Sequence, residues 1–147
     1  MVKPDDCNME MVYKNINSIV LYYLPNLPDT SPEDIKEEIQ SWWLESVKAI
    51  EDVPAYCFLE TRMGDYMRAL IPQNEDVEEI KKLFHFFEKM ATCEDINVRD
   101  LLQVGFLEQL WATADLLNVV YKYMHPQTKI LCDELASSFR DPRACSH

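Results

Sequence analysis

Glycine is nearly absent from this chain of 147 residues, and its scarcity is the strongest constraint on the fold. The chain has two glycines, Gly64 and Gly105, against eight prolines spread along its length. Proline is favoured at the first position of helices and punctuates the connections between them. The pattern therefore predicts helices joined by short connections.

Apolar residues between the prolines recur mostly at spacings of three and four, which is the period of a helix with one buried face. Residues 12–24 predict a first helix, although their β-branched side chains leave a strand open. Ser31 and Pro32 give the clearest start signal, because serine caps helices and proline suits their first position. From there a helix is predicted to continue to about Asp52. Its expected buried stripe consists of Ile35, Ile39, Trp42, Trp43, Val47 and Ile50.

Five further helices are predicted, at about residues 55–71, 76–91, 97–111, 114–124 and 127–140. Gly64 weakens the helical propensity of the first of them. Residues 76–91 are amphipathic, and their apolar face consists of Val77, Ile80, Phe84, Phe87 and Met90. The next segment, NVRDLLQVGFLEQLW, is apolar nearly all round and is therefore predicted to lie in the middle of the domain.

These segments predict an all-α fold, either an orthogonal helical bundle or a short α-solenoid-like stack of about seven helices. The length suits one domain, so residues 1–147 are predicted to form a single unit with frayed ends at about 1–8 and 141–147. No apolar run approaches the roughly 18 residues of a membrane span, and the N-terminus lacks the apolar core of a signal peptide. A cytoplasmic location is expected.

The charge is strongly acidic, with 26 Asp and Glu against 14 Lys and Arg and a net charge of -12. Such a surface repels phosphate backbones and anionic membranes, and it attracts positively charged proteins. We therefore expect a basic protein as partner, with neither nucleic acid nor a membrane bound directly.

Sequence signatures of catalysis are missing. No glycine-rich phosphate loop, GxSxG, HExxH or CxxC occurs, which predicts a protein that is not an enzyme and holds no metal or cofactor. His85 stands among phenylalanines and is predicted to lie in the core or at its boundary, and nothing marks Cys93 as an activated nucleophile beside it. The five cysteines are odd in number and widely spaced, so reduced, mostly packed thiols are expected.

Glu108 interrupts an apolar stretch and is the most unusual charge in the chain. At 100° per residue it falls between Leu101 and Val104, with Gly105 and Trp111 beside it. An isolated buried carboxylate costs several kcal/mol, so burial predicts a basic partner, backbone N–H donors or a carboxyl that keeps its proton. Exposure in a groove is the alternative. We interpret Glu108 as a structural residue that specifies packing between helices, so that Glu108→Ala is expected to destabilise the fold.

Residues 83–135 contain LFHFFEKMA, INVRDLLQVGFLEQLW and YKYMHPQTKILCDEL. They resemble a family of small bacterial all-helical proteins of unassigned function, in which a phenylalanine-rich helix precedes a V-x-x-L-L-x-V-x-x-L-E-x-L helix and a KYM-x-P-x-TK turn. Some relatives resemble candidate immunity proteins of bacterial toxin systems. Glu108 and Thr128 are the distinctive polar positions of the motif, and His125 replaces a small residue. Pro126 fits a first helical turn, where Thr128 is predicted to satisfy a free N–H group.

Charge and resemblance together favour an acidic inhibitor of proteins. Its most concrete form is an immunity protein that covers the active site of a basic toxin, such as a nuclease, by mimicking phosphates with carboxylates. A helical adaptor or structural interaction module with no toxin partner is the alternative. The candidate partner-binding residues are Glu33, Asp34, Glu37, Glu38, Trp42, Glu75, Asp76, Glu78 and Glu79.

Two alternatives stay open for these residues. Carboxylates near helix starts are also favoured by the helix dipole, so part of the acidic set has a purely structural explanation. Trp42 and Trp43 point about 100° apart on a helix, so one of them can be exposed beside the acidic cluster as an anchor, or both can pack in the core.

Overall fold

The computed structural model describes residues 9–140, apart from the side chains of Ala114 and residues 138–140. Within these residues every regular element is helical and no strand occurs, which confirms the all-α prediction. The ends predicted to fray, 1–8 and 141–147, lie outside the described residues.

Seven helices make up the described part of the chain. They are α1 (Ile16–Tyr23), α2 (Pro32–Ser41), α3 (Ala55–Leu70), α4 (Val77–Ala91), a central helix of three contiguous segments (Ile96–Asp100, Leu101–Leu107 and Glu108–Ala112), a short helix (Ala114–Val120) and the C-terminal helix (Pro126–Arg140). Single 3-10 turns lie at Tyr13–Asn15, Ile50–Asp52 and Tyr121–Tyr123.

The first helix settles the choice that the sequence left open between helix and strand at residues 12–24. Ile16, Ile19 and Val20 lie on its buried face. Between them the buried Asn17 amide donates to the carbonyls of Ile50 and Val53, each at 2.8 Å. Because these bonds satisfy buried backbone oxygens, α1 is joined firmly to the turn that follows α2.

The second helix starts as predicted but ends early. Ser31 and Asp34 form a reciprocal capping box, in which the Asp34 N–H donates to the Ser31 hydroxyl at 3.1 Å. The helix ends at Ser41 instead of about Asp52. None of its residues is fully buried, and the Asp52 carboxylate accepts the N–H groups of Lys48 and Ala49, each at 2.9 Å. Such local side-chain bonds stabilise a turn that competes with further helix.

The predicted buried stripe of α2 is correspondingly wrong. Of its six members only Ile50 is buried, and four are half-buried, namely Ile35, Ile39, Trp42 and Val47. Trp43 is 95% exposed, because the chain leaves helical geometry at Trp42, whose backbone is extended.

Helix α3 runs without interruption through Gly64. Both glycines of the chain lie where α3 packs on the central helix: a Cβ on Gly64 would fall 2.0 Å from the Gln109 Oε1, and one on Gly105 would fall 3.4 Å from the Tyr56 ring. The absence of a side chain at Gly64 therefore leaves room for Gln109 of the central helix. The Gln109 amide donates to the carbonyls of Glu60, at 2.9 Å, and Gly105, at 2.8 Å.

The central helix packs against α3, α4 and the C-terminal helix, as its apolar composition predicts. Its fully buried residues are Leu101, Leu102, Phe106, Leu107 and Leu110. One side stays open, since Val104 is 49% exposed. The middle segment, Leu101–Leu107, is a π-helix, a rare form that closes hydrogen bonds over five residues.

Helix α4 confirms the predicted amphipathic face. Ile80, Phe84, Phe87 and Met90 are all buried, whereas Val77, at the start of the face, is half-buried. The Phe87 ring stacks on Phe106 of the central helix at a centroid distance of 5.8 Å. His85 does not lie in the core: it is exposed, because it sits on the opposite side of α4 from the Phe84 and Phe87 rings.

The three described cysteines are free thiols, and they differ in burial. Cys132 is buried, and burial raises the pKa of its thiol to about 11, so it stays protonated at neutral pH. Cys93 is half-buried and its thiol donates to the Met11 carbonyl at 3.0 Å, whereas Cys57 is exposed, against the expectation of mostly packed thiols. Cys7 and Cys145 lie outside the described residues. None of the helices described has the length and apolar character needed to cross a membrane.

Candidate protein-interaction surface

The acidic residue Glu38 is part of the fold rather than of the free surface. Its carboxylate accepts the Trp42 indole N–H at 2.8 Å and pairs with the Arg62 guanidinium of α3 at 3.2 Å. Only 18% of the Glu38 side chain is exposed, and Arg62 is held further by the Phe58 carbonyl at 2.9 Å. Glu38 therefore joins α2 to α3, and a partner protein could bind this carboxylate only by breaking its ion pair with Arg62.

The two tryptophans have different environments. Trp42 is half-buried, packs against the core and donates its N–H to Glu38, whereas Trp43 projects outward with the adjacent Leu44, which is 60% exposed. Trp42, the anchor candidate chosen from the sequence, is thus the packed residue of the pair. The exposed anchor position belongs to Trp43.

Three more carboxylates of the candidate set are engaged within the fold. Asp34 forms the capping box of α2, and Asp76 caps α4 by accepting the Glu79 N–H at 3.1 Å. Glu79 accepts the Asn26 amide at 2.8 Å and lies 3.9 Å from the Lys82 ammonium. Glu79 also lies beside Tyr66: burial raises the pKa of that phenol, and the Glu79 carboxylate raises it further.

The remaining four carboxylates, Glu33, Glu37, Glu75 and Glu78, are exposed. None of them forms a hydrogen bond or ion pair with a residue that the structure describes. Glu33 and Glu37 are four residues apart and so occupy neighbouring turns of one helix face. Glu75 and Glu78 flank the cap of α4. The free candidate residues are therefore two exposed acidic pairs, and these pairs together with the exposed Trp43 and Leu44 are called the acidic surface.

The segment that carries Trp43 is shaped by local bonds. The Val47 N–H donates to the Leu44 carbonyl at 3.0 Å, and the Asp52 carboxylate closes the following turn. The N–H donors of Lys48 and Ala49 lower the pKa of Asp52, so this carboxylate is charged at neutral pH and the turn is formed. Trp43 thus projects from a defined turn directly after α2.

Glu108 lacks the partner that burial predicted. Its side chain is half-buried and makes no hydrogen bond or ion pair with any described residue. Its predicted position on the helical wheel assumed 100° per residue. Seven π-helical residues precede Glu108, however, and the Glu108 N–H bonds to the Gln103 carbonyl. Because a π-helix closes over five residues instead of four, each residue turns through less than 100° and Glu108 moves away from its wheel position.

Thr128 is fully buried, and its partner is Glu88 of α4, a residue that the sequence did not single out. The Glu88 carboxylate accepts the Thr128 N–H at 2.9 Å, the Thr128 hydroxyl at 3.0 Å and the Gln127 N–H at 3.2 Å. The Thr128 hydroxyl therefore donates to a carboxylate, instead of accepting a backbone N–H as predicted. Forty residues separate the two side chains, so no local signal pointed to the pair.

As a result, the first N–H groups of the C-terminal helix all have hydrogen-bond acceptors. Pro126 has no N–H, Glu88 accepts the next two, and the Lys129 N–H bonds to the His125 carbonyl. The negative carboxylate also lies at the positive end of the helix dipole. Among the residues described, no group of three or more His, Cys, Asp or Glu side chains is arranged to hold a metal ion.

Fold and surface together define the class of protein: an all-helical domain of strongly acidic charge, with free carboxylates and an exposed tryptophan on α2 and the loop after it. The chain belongs to the family DUF7674, a domain of unknown function, which matches residues 21–140. That match contains the whole of residues 83–135, on which the resemblance to a family of unassigned function rests. No curated protein and no solved structure matches the chain.

Proposed function

We propose that this domain binds a basic protein through its acidic surface and inhibits it, most concretely as an immunity protein that neutralises a basic toxin. The observation that carries the proposal is Trp43, which is 95% exposed beside Leu44 and directly follows a helix with two free carboxylates. Aromatic residues dominate the binding energy of protein interfaces, and adjacent exposed apolar side chains are typical of interaction sites.

The charge supports a cationic partner. A net charge of -12 produces a field that steers positive proteins toward the domain, and the four free carboxylates give this field local contacts. If the partner is a nuclease, its active site already binds phosphates, so carboxylates can occupy the same positions. Glu38, Asp34, Asp76 and Glu79 stabilise the helices that present the free carboxylates.

The test is association kinetics with a basic toxin domain encoded beside this gene, at about 50 and 200 mM salt. We expect Glu33→Lys combined with Glu37→Lys, or Glu75→Lys combined with Glu78→Lys, to lower the association rate at least about tenfold at low salt, and less at high salt because charges are screened. A matched control is Glu60→Lys combined with Glu94→Lys, two exposed carboxylates outside the acidic surface.

Trp43→Ala tests the anchor separately. A hot-spot residue contributes about 2 kcal/mol or more, so the dissociation rate should rise about 30-fold while the melting temperature stays unchanged. Kinetics unaffected by Trp43→Ala, by salt and by both acidic pairs would contradict the proposal. Binding that depends on Trp43 but not on charge, with no loss of toxin activity, would instead favour the helical adaptor.

A further inference from the structure

A groove on the far side of α4 from the Phe84 and Phe87 rings concentrates positive charge in an otherwise acidic chain. It lies between α4 and the turn before the C-terminal helix and has a volume of about 440 Å³. Its lining consists of Lys81, His85, Lys122, Tyr123, Met124 and His125. We call it the cationic groove, and none of its residues belongs to the acidic surface.

The basic groups of the cationic groove have no carboxylate partners. Lys81 and His85 are four residues apart on α4, and the His85 ring meets the His125 ring edge-on at a centroid distance of 6.1 Å. The Lys122 ammonium lies 5.2 Å from the Tyr123 ring centroid. None of these four basic residues forms an ion pair with the part of the chain that the structure describes, although acidic residues outnumber basic ones by 26 to 14.

The two carboxylates nearest to the groove on α4, Glu78 and Glu88, form no ion pair with its basic residues. Glu88 follows His85 by less than one turn, but its oxygens accept the N–H groups of Gln127 and Thr128. Glu78 precedes Lys81 by three residues, is exposed, and forms no ion pair with it. The Tyr123 hydroxyl, which donates to the Asn74 side-chain oxygen at 3.3 Å, fixes the aromatic wall.

We propose that the cationic groove binds a small organic phosphate, with the phosphoryl group between Lys81 and Lys122. Lysine ammonium groups attract phosphoryl oxygens as compact point charges, and the two imidazoles donate hydrogen bonds to the same oxygens. The volume falls within the roughly 300–1,000 Å³ of small-molecule sites and exceeds what bare phosphate fills, so the organic part lies against Tyr123 and Met124. Two lysines repel a metal cation, which makes the histidine pair unsuitable as a metal site.

The net charge of the chain does not oppose this binding strongly. At physiological ionic strength charges are screened over about 8 Å, so the charges in and beside the groove, including Glu78 and Glu88, outweigh the rest of the net charge. The ligand is defined by the phosphoryl group and an adjoining apolar part.

Titration calorimetry of the full chain at constant ionic strength tests this, with phenyl phosphate, inorganic phosphate and phenol as probes. We expect phenyl phosphate to bind more tightly than inorganic phosphate, and phenol not to bind. Lys81→Gln combined with Lys122→Gln should weaken phenyl phosphate at least about tenfold, since each lost charge contact to phosphate removes a charge-assisted interaction. The matched control, Lys14→Gln combined with Lys36→Gln, removes two exposed lysines elsewhere and should change affinity less than about twofold.

Imidazole NMR signals of the unaltered protein give a readout that needs no variant. Phenyl phosphate should shift the signals of both His85 and His125. No binding at about 10 mM, equal weakening in the control pair, or unshifted His85 and His125 signals would each overturn the proposal. Equal affinity for phenyl phosphate and inorganic phosphate would overturn the assignment of an organic ligand. The acidic surface is untouched by these variants, so the two proposals fail independently.

Discussion

At the scale of single residues, Glu88 shows how one carboxylate stabilises two helices. It follows the buried Phe87 on α4, and its oxygens extend to the start of the C-terminal helix and accept three hydrogen bonds there. Thr128 is fully buried, so its N–H and hydroxyl would lose all partners without Glu88. Unsatisfied buried donors are far more unfavourable than a missing surface bond.

Glu88→Ala should therefore lower the free energy of unfolding by about 2–3 kcal/mol, because hydrogen bonds to a charged group contribute about 1.5–3 kcal/mol and buried donors are left behind. Glu88→Gln retains an acceptor without the charge and should lose only about 1 kcal/mol. Urea denaturation measures both. Glu78→Ala is the control on the same helix, and it should fall within about 0.5 kcal/mol of the unaltered protein. If the urea midpoint of Glu88→Ala equals that of Glu78→Ala, the hydrogen bonds from the C-terminal helix to Glu88 contribute nothing to stability.

At the scale of helices, Gly64 determines how closely a side chain of the central helix approaches α3. The space that a side chain on Gly64 would fill is occupied by Gln109, whose amide donates to the carbonyls of Glu60 and Gly105. The Gly105 carbonyl belongs to the π-helical segment, where the usual backbone pairing is altered. Gly64 is unfavourable for helix formation, but it leaves room for the Gln109 amide and its two hydrogen bonds.

The effect of Gly64→Ala on stability should have opposite signs in the unaltered protein and in a Gln109→Ala variant. In the unaltered protein the new methyl group displaces Gln109 and two hydrogen bonds are lost, which outweighs the gain in helix propensity of about 1 kcal/mol and destabilises by about 0.5–2 kcal/mol. In a Gln109→Ala background the close atom that remains is the Arg68 Nη1, at 3.1 Å, which can shift because it ends a flexible, exposed side chain. The same substitution should then stabilise by about 0.5–1 kcal/mol. Unfolding free energies of the four proteins form a double-mutant cycle. Additive effects would mean that Gln109 does not occupy this space.

At the scale of the whole molecule, the net charge of -12 lowers the stability of the folded domain itself. Like charges held on a compact surface repel one another, and unfolding relieves the repulsion. Half of the candidate carboxylates are compensated by helix caps, Arg62, Asn26 or Lys82, whereas Glu33, Glu37, Glu75 and Glu78 are not.

Raising the salt concentration from about 10 to 150 mM should therefore stabilise the domain, by about 1 kcal/mol or roughly 3–4 °C in melting temperature, because screening weakens the repulsion. Calorimetry or circular dichroism provides the measurement. A variant with Glu33, Glu37, Glu75 and Glu78 each changed to Gln should melt higher at low salt and respond less to added salt. An identical salt response in both proteins would indicate that these carboxylates do not repel.

The elements were predictable because the information for them is local. Proline positions, the Ser31 cap and the three-and-four spacing on α4 specify helices within a few residues of themselves, and these predictions are confirmed. The early end of α2 was missed, because an apolar spacing of three and four does not show that Asp52 bonds to Lys48 and Ala49 instead, or that no other described element fully buries the apolar residues of α2. Glu108 was misplaced for a second reason, since nothing in an apolar pattern distinguishes a π-helical turn from an α-helical one.

By itself, then, the sequence determined an acidic, all-helical chain with its main helices, since charge adds up residue by residue and helical hydrogen bonds span only four or five positions. Only the tertiary structure decided which carboxylates are free. Glu38 pairs across 24 residues, Glu88 across 40 and Glu79 across 53, and such pairs exist only once the helices have packed. The same packing leaves Trp43 in solvent and covers Trp42, although the two residues are adjacent in the chain.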